Sequence, residues 1–457
     1  MRNTNVLLAV FCLVVAVGLA WQEASAADEP GDDAVGMIVN LVADKDKDVR
    51  AVGLQQVREE AKGPAATKRF VELLPQLPPD SRAALIDALA DRGDPAARPA
   101  VVEMLASREE QVRIAAIRAL GALGQAADVP QLIQALAEPA GPLKTAAIAS
   151  LVRVRGSAAV GAIVAELERA PTALRIELIG VVASRRAPEG LPALLAAAQD
   201  AQAQVRMAAM AALGQVAGPG QVVDMLQGVL KANSGPEREA AEKAVMFVCK
   251  RLKEVDPKAE PLLAAFAKLS AQEQMALLPA LGRVGGPGAL KIVESAMSDT
   301  DAARREAGFH ALCLWPDASI SNRLLDLAQN AGDAGHRAEA LRALIRVAPL
   351  PDKRSEAERL ALLKKALGLA TRDDDRLTVV KRARAIRSVE CLHFVLPYLD
   401  DPVFAQEACA TIVELAHHKN LREPNKAEFY PALDRVIRIS KDPNVIDKAK
   451  RYRQNKV

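Results

Sequence analysis

Residues 111–124 read Gln111-Val112-Arg113-Ile114-Ala115-Ala116-Ile117-Arg118-Ala119-Leu120-Gly121-Ala122-Leu123-Gly124, and the fold can be read from them. Val112, Ala115, Ala116, Ala119, Leu120 and Leu123 recur at helical spacing, so one face of a helix is apolar. Gly124 stops it. Downstream, Asp128 is the expected N-cap of a second helix with Pro130 in its first turn. Leu132, Ile133 and Leu136 form a second apolar face, and Pro139-Ala140-Gly141-Pro142 breaks the chain again. One unit is therefore a pair of antiparallel helices. A pair this short cannot bury both apolar stripes by itself, so neighbouring pairs must stack.

The same unit recurs on both sides. Asp48-Val49-Arg50, Asp80-Ser81-Arg82, Gln111-Val112-Arg113, Pro142-Leu143-Lys144, Ala173-Leu174-Arg175, Gln204-Val205-Arg206 and Pro236-Glu237-Arg238 each open a run rich in alanine and leucine, and the basic residues step by 32, 31, 31, 31, 31 and 32. Gln274, Arg304 and Arg337 occupy similar places further on, and the pattern returns around 375–385 and 402–409. Three residues after each basic position stand Gly53, Leu85, Ala116, Ala147, Leu178, Ala209 and Ala241. Seven after it stand Val57, Leu89, Leu120, Leu151, Val182, Leu213 and Val245. Small residues at one position let helices approach, and branched ones at the other fill the remaining space. The composition agrees: of 457 residues 50% are hydrophobic but only 3% aromatic, which argues against β-sandwiches and barrels and against ring-lined grooves for sugars or single-stranded nucleic acid. The net charge of +3 supplies no general drive toward nucleic acid or anionic lipid.

Val-Arg-x-x-Ala-x-x-x-Leu after an acidic residue, as in Asp200 to Leu213, resembles the second helix of a HEAT repeat, more closely the short HEAT-like type near thirty residues also found in bilin lyases. Similar units run from about Ala34 to Ala416, with weaker fits near 250–275 and 348–375. The resemblance implies an all-α fold, a right-handed α-α superhelix of stacked antiparallel helix pairs, with the second helices on the concave surface. It also implies that each basic residue and its preceding acid form a polar ladder within the array, so that Arg50, Arg113, Arg206 and their equivalents are structural.

Some proteins with similar repeats are enzymes. Deoxyhypusine hydroxylase holds two irons with His-Glu pairs, but here His310 precedes Ala311, His336 precedes Arg337, His393 precedes Phe394, His417 precedes His418 and His418 precedes Lys419. No phosphate loop, nucleophile elbow or His-Glu-x-x-His helix is present. Cys391, His393, Cys409, His417 and His418 are the one group considered for a metal. Their spacing matches no compact zinc motif, so surface histidines and core cysteines are the preferred reading. Cys391 and Cys409 are read as buried thiols, with a bridge between them as the alternative. No catalytic residue, metal or cofactor is assigned.

A protein-binding surface is the expected function. The positions one and five after each basic residue point toward the groove and read Ala83 and Asp87, Ile114 and Arg118, Thr145 and Ala149, Ile176 and Gly180, Met207 and Ala211, Glu239 and Lys243. The middle of this series is small and apolar, which places a candidate protein or peptide groove on Ile114, Arg118, Ile176, Met207 and Lys243. Lys381, Arg384 and Arg387, three residues apart, form a basic face suited to an acidic partner or simply solvated.

The N-terminus supplies a compartment. Arg2, the apolar stretch Val6 to Ala20 and Ala24-Ser25-Ala26 before Asp28-Glu29 have the three parts of a secretory signal, with cleavage expected after Ala26. The organisation expected is a signal at 1–26, a repeat array over 27–350, an irregular joint or insertion at 351–375, and final helix pairs with a C-terminal cap over 376–457. The leading reading is an exported, periplasmic or extracellular, non-enzymatic scaffold that binds protein but neither nucleic acid nor, once cleaved, membrane. An enzyme-accessory protein binding a small ligand or metal, and an envelope scaffold anchored by an uncleaved signal, are the alternatives.

Overall fold

The computed structural model describes residues 32–251 and 260–456, so the expected signal segment lies outside the described residues. Among those described there are twenty-seven α-helices and no strand, as the alanine and leucine periodicity requires. The chain divides into two compact units, residues 1–216 and 217–457.

In the first unit the pairs are α1 (Asp32–Ala43) with α2 (Lys47–Glu59), α3 (Pro64–Val71) with α4 (Pro79–Arg92), and α5 (Arg98–Glu103) with α6 (Glu110–Leu123). They continue as α7 (Val129–Leu136) with α8 (Pro142–Arg153), α9 (Ser157–Arg169) with α10 (Thr172–Arg185), and α11 (Leu191–Ala197) with α12 (Ala203–Val216). The second helices, which carry even numbers, pack on one another in an unbroken file from α2 to α12. The first helices meet more sparsely, chiefly α1 with α3 and α7 with α9. The layer of second helices is thus the tighter one.

The second unit begins with α13 (Val222–Lys231) and α14 (Pro236–Lys250), α15 (Glu260–Phe266) and α16 (Ala271–Val284), and α17 (Pro287–Met297) and α18 (Ala302–Cys313). Next come α19 (Ser321–Asn330) and α20 (Ala334–Val347), α21 (Glu356–Leu369) and α22 (Asp373–Ala383), and α23 (Val389–Val395) and α24 (Ala405–His417). It ends with the single turn α25 (Lys419–Arg422), then α26 (Lys426–Ile439) and α27 (Pro443–Arg453). The interval 351–375 is not an irregular joint. It holds α21, a full-length first helix opened by a reciprocal Ser355–Glu358 cap, and the prolines Pro349 and Pro351 lie just ahead of it in the turn.

The repeat positions read from the sequence are the core. Leu85, Ala116, Ala147, Leu178 and Ala209 are fully buried, as are Val57, Leu89, Leu120, Leu151, Leu213 and Val245. Gly53 and Gly282 show why some positions tolerate no side chain. A Cβ on Gly53 would come within 2.7 Å of the Val42 backbone nitrogen, and one on Gly282 would overlap the Ala311 carbonyl of the next second helix.

Two expectations about polar residues are corrected. The basic residue that opens most second helices reaches back to main-chain carbonyls of its own repeat rather than to the acid before it; Arg376, 3.5 Å from Asp373, and Arg304, 3.2 Å from Asp299, do keep such a pair. Arg50 donates to the carbonyls of Asp44 (3.0 Å) and Lys45 (2.8 Å), Arg113 to Ser107 (2.9 Å) and Arg108 (3.0 Å), and Arg206 to Asp200 (2.8 Å) and Ala201 (3.0 Å). The constant reach of six and five residues follows from the turn between the two helices, whose main-chain carbonyls lie outside both and have no helical partner. Lys144 and Arg175 make side-chain pairs with Glu177 (2.8 Å) and Asp200 of the following repeat. Asp128 stands at the N-cap position of α7, but its side chain makes no cap hydrogen bond to that helix. Its carboxylate accepts the Gln125 N–H at 2.8 Å, closing a turn just ahead of that helix, and binds Arg98 of the preceding first helix through two bonds of 2.8 and 2.6 Å.

A second set of arginines, unforeseen, joins successive repeats. From the end of one second helix each reaches the end of the previous one. Arg92 donates to the carbonyls of Val57 (2.8 Å) and Glu60 (2.7 Å), Arg185 to Leu151, Val152 (3.1 Å) and Val154 (2.7 Å), and Arg346 to Cys313 (2.8 Å) and Trp315 (2.7 Å). A cation at a helix C-terminus is favourable both for the orphan carbonyls and for the helix dipole. Burial pushes the pKa of all three guanidiniums down from the usual arginine range, yet they stay charged.

Leu120 has no exposed surface, so Leu120→Ala should destabilise the fold by about 2 to 5 kcal/mol, seen as a lowered midpoint in chemical denaturation. An unchanged midpoint would mean that the inward face has been misassigned.

Candidate functional site

The surface positions follow from the buried ones. Once the third and seventh residues after the opening arginine are turned inward, the first and fifth face outward from the second-helix layer. In the first unit these positions carry little charge in the middle. Thr145 and Ala149 on α8, Gly180 on α10 and Met207 and Ala211 on α12 are exposed, and a Cβ built on Gly180 would meet nothing within 4 Å. Ile114 and Ile176 are half-buried, while Met207 is 43% exposed. Arg118 is exposed and pairs with Asp87 of the preceding second helix at 2.7 Å, so at these two positions charge is confined to the α4–α6 end. Ile114, Arg118, Ile176 and Met207 all therefore lie on one layer, with the isoleucines contributing less surface than Met207.

In the second unit the corresponding layer is polar. Lys243 is exposed beside Glu239 at 3.6 Å, and Phe247, one turn further along α14, is 53% exposed. A cleft of about 390 Å³ opens against α14, α16, α18 and α20. Met275, Ala276, Pro279 and Leu314 give it apolar walls, with Glu239, Arg283, His310 and Glu339 at its polar edges. Arg283 binds the buried Glu242 at 2.9 Å. Burial raises the Glu242 pKa, against which the Arg283 hydrogen bond acts.

Beside this cleft lies a network that sequence reading missed. Glu306 on α18 faces two imidazoles: His310 Nε2 at 3.0 Å and His336 Nε2 at 2.9 Å. His310 Nδ1 meets Glu339 on α20 at 2.8 Å, and the Phe309 and His336 rings lie 4.3 Å apart. Both nitrogens of His310 are thus taken by carboxylates, making it a link between two second helices. The signal was obscured by a register slip of one residue. Arg304 was placed in the repeat position, but Arg305 occupies it, donating to the carbonyls of Asp299 and Thr300 at 2.8 Å each. Counted from Arg305, the two outward positions are Glu306 and His310.

The remaining candidates are dispersed. Lys381 and Arg387 are exposed and Arg384 is half-buried, near the end of α22 and in the turn after it. Cys391 and Cys409 are free buried thiols, with burial pushing their pKa values up to about 12 and about 11, and Cys391 Sγ donates to the Ala383 carbonyl at 3.0 Å. His393 turns to Glu428 at 2.9 Å and His417 to the Tyr452 hydroxyl at 2.8 Å. Among the described residues no group of three or more His, Cys, Asp or Glu is arranged to hold a metal, and no helix is long and apolar enough to cross a membrane.

Residues 67–152 and 161–246 match the family model for HEAT repeats. No curated protein matches the sequence. Among solved structures, Kap121p bound to Ste12p is similar at 13% identity and a TM-score of 0.44, covering 92% of this chain and 55% of that one. Kap121p bound to Pho4p is similar at 12% identity and a TM-score of 0.46, with the same coverage. Human deoxyhypusine hydroxylase in complex with glycerol is similar at 18% identity and a TM-score of 0.24, covering 62% of this chain and 96% of that one. The chain spans about half the length of the Kap121p structures it matches.

His336 gives a pH signature. The hydrogen bond to Glu306 raises its pKa above the ordinary 6.5 against some desolvation, aided by the charges of Glu306, Asp333 and Glu339. A raised folded-state pKa contributes stability that is complete below about pH 6.5 and is lost as pH rises through the folded value. The stability difference between the wild type and His336→Gln should therefore be largest below pH 6.5 and shrink toward pH 8 in urea titrations. A difference independent of pH would remove the ionic contribution.

Proposed function

We propose that this HEAT-repeat protein is an exported, non-enzymatic scaffold that binds a protein or peptide along the second-helix face of its first unit. The observation that carries this reading is the run of exposed small positions Ala149, Gly180 and Ala211 on three successive second helices, bordered by Ile176 and the 43% exposed Met207. A stacked array needs its buried positions filled with alanine and leucine, but nothing in that requirement asks for small or apolar residues on the opposite face. Contiguous apolar surface of this kind suits a partner's side chains, and the exposed backbone at Gly180 allows close approach. The Asp87–Arg118 pair at one end and the Lys144–Glu177 pair nearby supply polar edges that can fix register rather than affinity. The near-balanced charge supports a protein partner over nucleic acid.

A photo-crosslinking residue placed at Ala149 or Ala211 in the cell should capture a defined partner. The same residue at Glu168, exposed on the first helix α9, should not. Met207→Glu combined with Ile176→Glu should abolish that capture while leaving the far-ultraviolet circular dichroism unchanged. Persistent capture by a folded double variant would refute the groove.

Export rests on Arg2, the apolar Val6–Ala20 and the Ala24-Ser25-Ala26 site. Sequencing of the mature protein should begin at Ala27. A chain that retains residues 1–26 and fractionates with membranes would instead be an anchored scaffold.

A further inference from the structure

Near the end of the second unit, where the chain leaves α22 and where α24 gives way to α25, a cleft of about 410 Å³ is lined by Arg387, His417, His418, Lys419, Asn420 and Leu421. No carboxylate lines it. Arg387 and Lys419 are exposed, and among the described residues neither makes a side-chain hydrogen bond or ion pair. This sets them apart from the structural arginines, each of which is held by main-chain carbonyls.

The surroundings add positive charge. Arg422, fully buried behind the turn, donates to the Ala416 carbonyl at 2.6 Å and so removes an acceptor at the end of α24; its ion pair with Glu423 is 3.0 Å long. Glu423 is shared with Lys426, also at 3.0 Å. His417 is fixed from the other side by the Tyr452 hydroxyl at 2.8 Å. His418 is held below the ordinary histidine range by burial first, then by the charges of Arg387 and His417. Glu414 opposes this shift, and its carboxylate lies 3.9 Å from the Lys448 ammonium. Arg387 and Lys419 have thus been brought to one cleft where the fold does not use their charges.

We propose that this cleft binds a phosphate-type oxyanion. A guanidinium fork, an ammonium, a side-chain amide and imidazole N–H groups supply donors, while Leu421 gives an apolar wall. Arginine matches the paired oxygens of a phosphate and lysine adds a point charge. The volume lies within the range of small-ligand sites. The phosphate is carried either by a small organic molecule or by a phosphorylated side chain of a partner protein, and the two share this chemistry.

Calorimetric titration of the full chain separates the possibilities, with free phosphoserine, a nine-residue peptide bearing one phosphoserine, and its unphosphorylated form as probes. A phosphorylated probe should bind and the unphosphorylated peptide should not. Tighter binding of the phosphopeptide assigns the site to a partner protein, and tighter binding of free phosphoserine assigns it to a small molecule. Arg387→Ala should weaken binding roughly tenfold or more, the loss expected for one charge-assisted pair. Lys419→Ala should also weaken it, whereas Lys381→Ala, outside the cleft, should not. Because the Arg387 and Lys419 side chains hold nothing in the fold, both variants should melt as the wild type does. Binding should also raise the His418 pKa followed by proton NMR. Failure of both phosphorylated probes to bind, or binding that survives Arg387→Ala and Lys419→Ala together, would overturn the proposal.

Discussion

Short helices impose a specific debt: every one of them ends with carbonyls that no further turn can satisfy. In this chain most helices have between 7 and 14 residues, so such ends recur throughout the array. Arginine takes up unpaired carbonyls in two places. Within a repeat, Arg50, Arg113, Arg206, Arg305 and Arg337 reach back to main-chain carbonyls of the turn that follows the first helix. Between repeats, Arg92, Arg185 and Arg346 reach the end of the previous second helix. The first set ties each second helix to its own turn, and the second ties each hairpin to its neighbour. Packing of alanine and leucine then acts on helices whose ends are already tied. An arginine suits the task because its fork reaches two or three carbonyls at once and keeps its charge when partly buried.

The tight layer of second helices also decides where function can sit. Small residues at the contact positions, such as Ala116 and Ala147, draw these helices together and leave their outward positions side by side across repeats. Residues about thirty apart in sequence thereby become neighbours. The same geometry gives two different surfaces. In the first unit it exposes Ala149, Gly180 and Ala211, whereas in the second it assembles Glu306, His310, His336 and Glu339 into one hydrogen-bonded network. The identity of the outward residue, free of packing demands, is what distinguishes one stretch of the array from another.

Much of the fold was legible because a repeated packing problem leaves a repeated sequence. Leu120, Leu151 and Leu213 were recognisable as core from spacing alone, and all are fully buried. The site was less legible. Ile176 and Met207 fell on the expected layer, but their unequal exposure depends on how adjacent helices cover them. The Glu306–His310 pair was hidden by adjacent arginines, since Arg304 and Arg305 fit the motif equally well and only the reach to Asp299 and Thr300 distinguishes them. The region 351–375 misled in a different way. Prolines in a turn look like an interruption, while the Ser355–Glu358 cap that starts a regular helix is a short local signal easily outweighed by them.

The sequence by itself determined the helix pair, its period of about thirty-one residues and the inward face of each second helix, because these follow from local propensity and hydrophobic periodicity. Tertiary structure decided which carbonyl each arginine takes, that Asp128 holds Arg98, and that His310 stands between two carboxylates. Those choices depend on the stacking offset between neighbouring repeats. No single repeat encodes that offset, since it is set only when the apolar faces of two pairs come together.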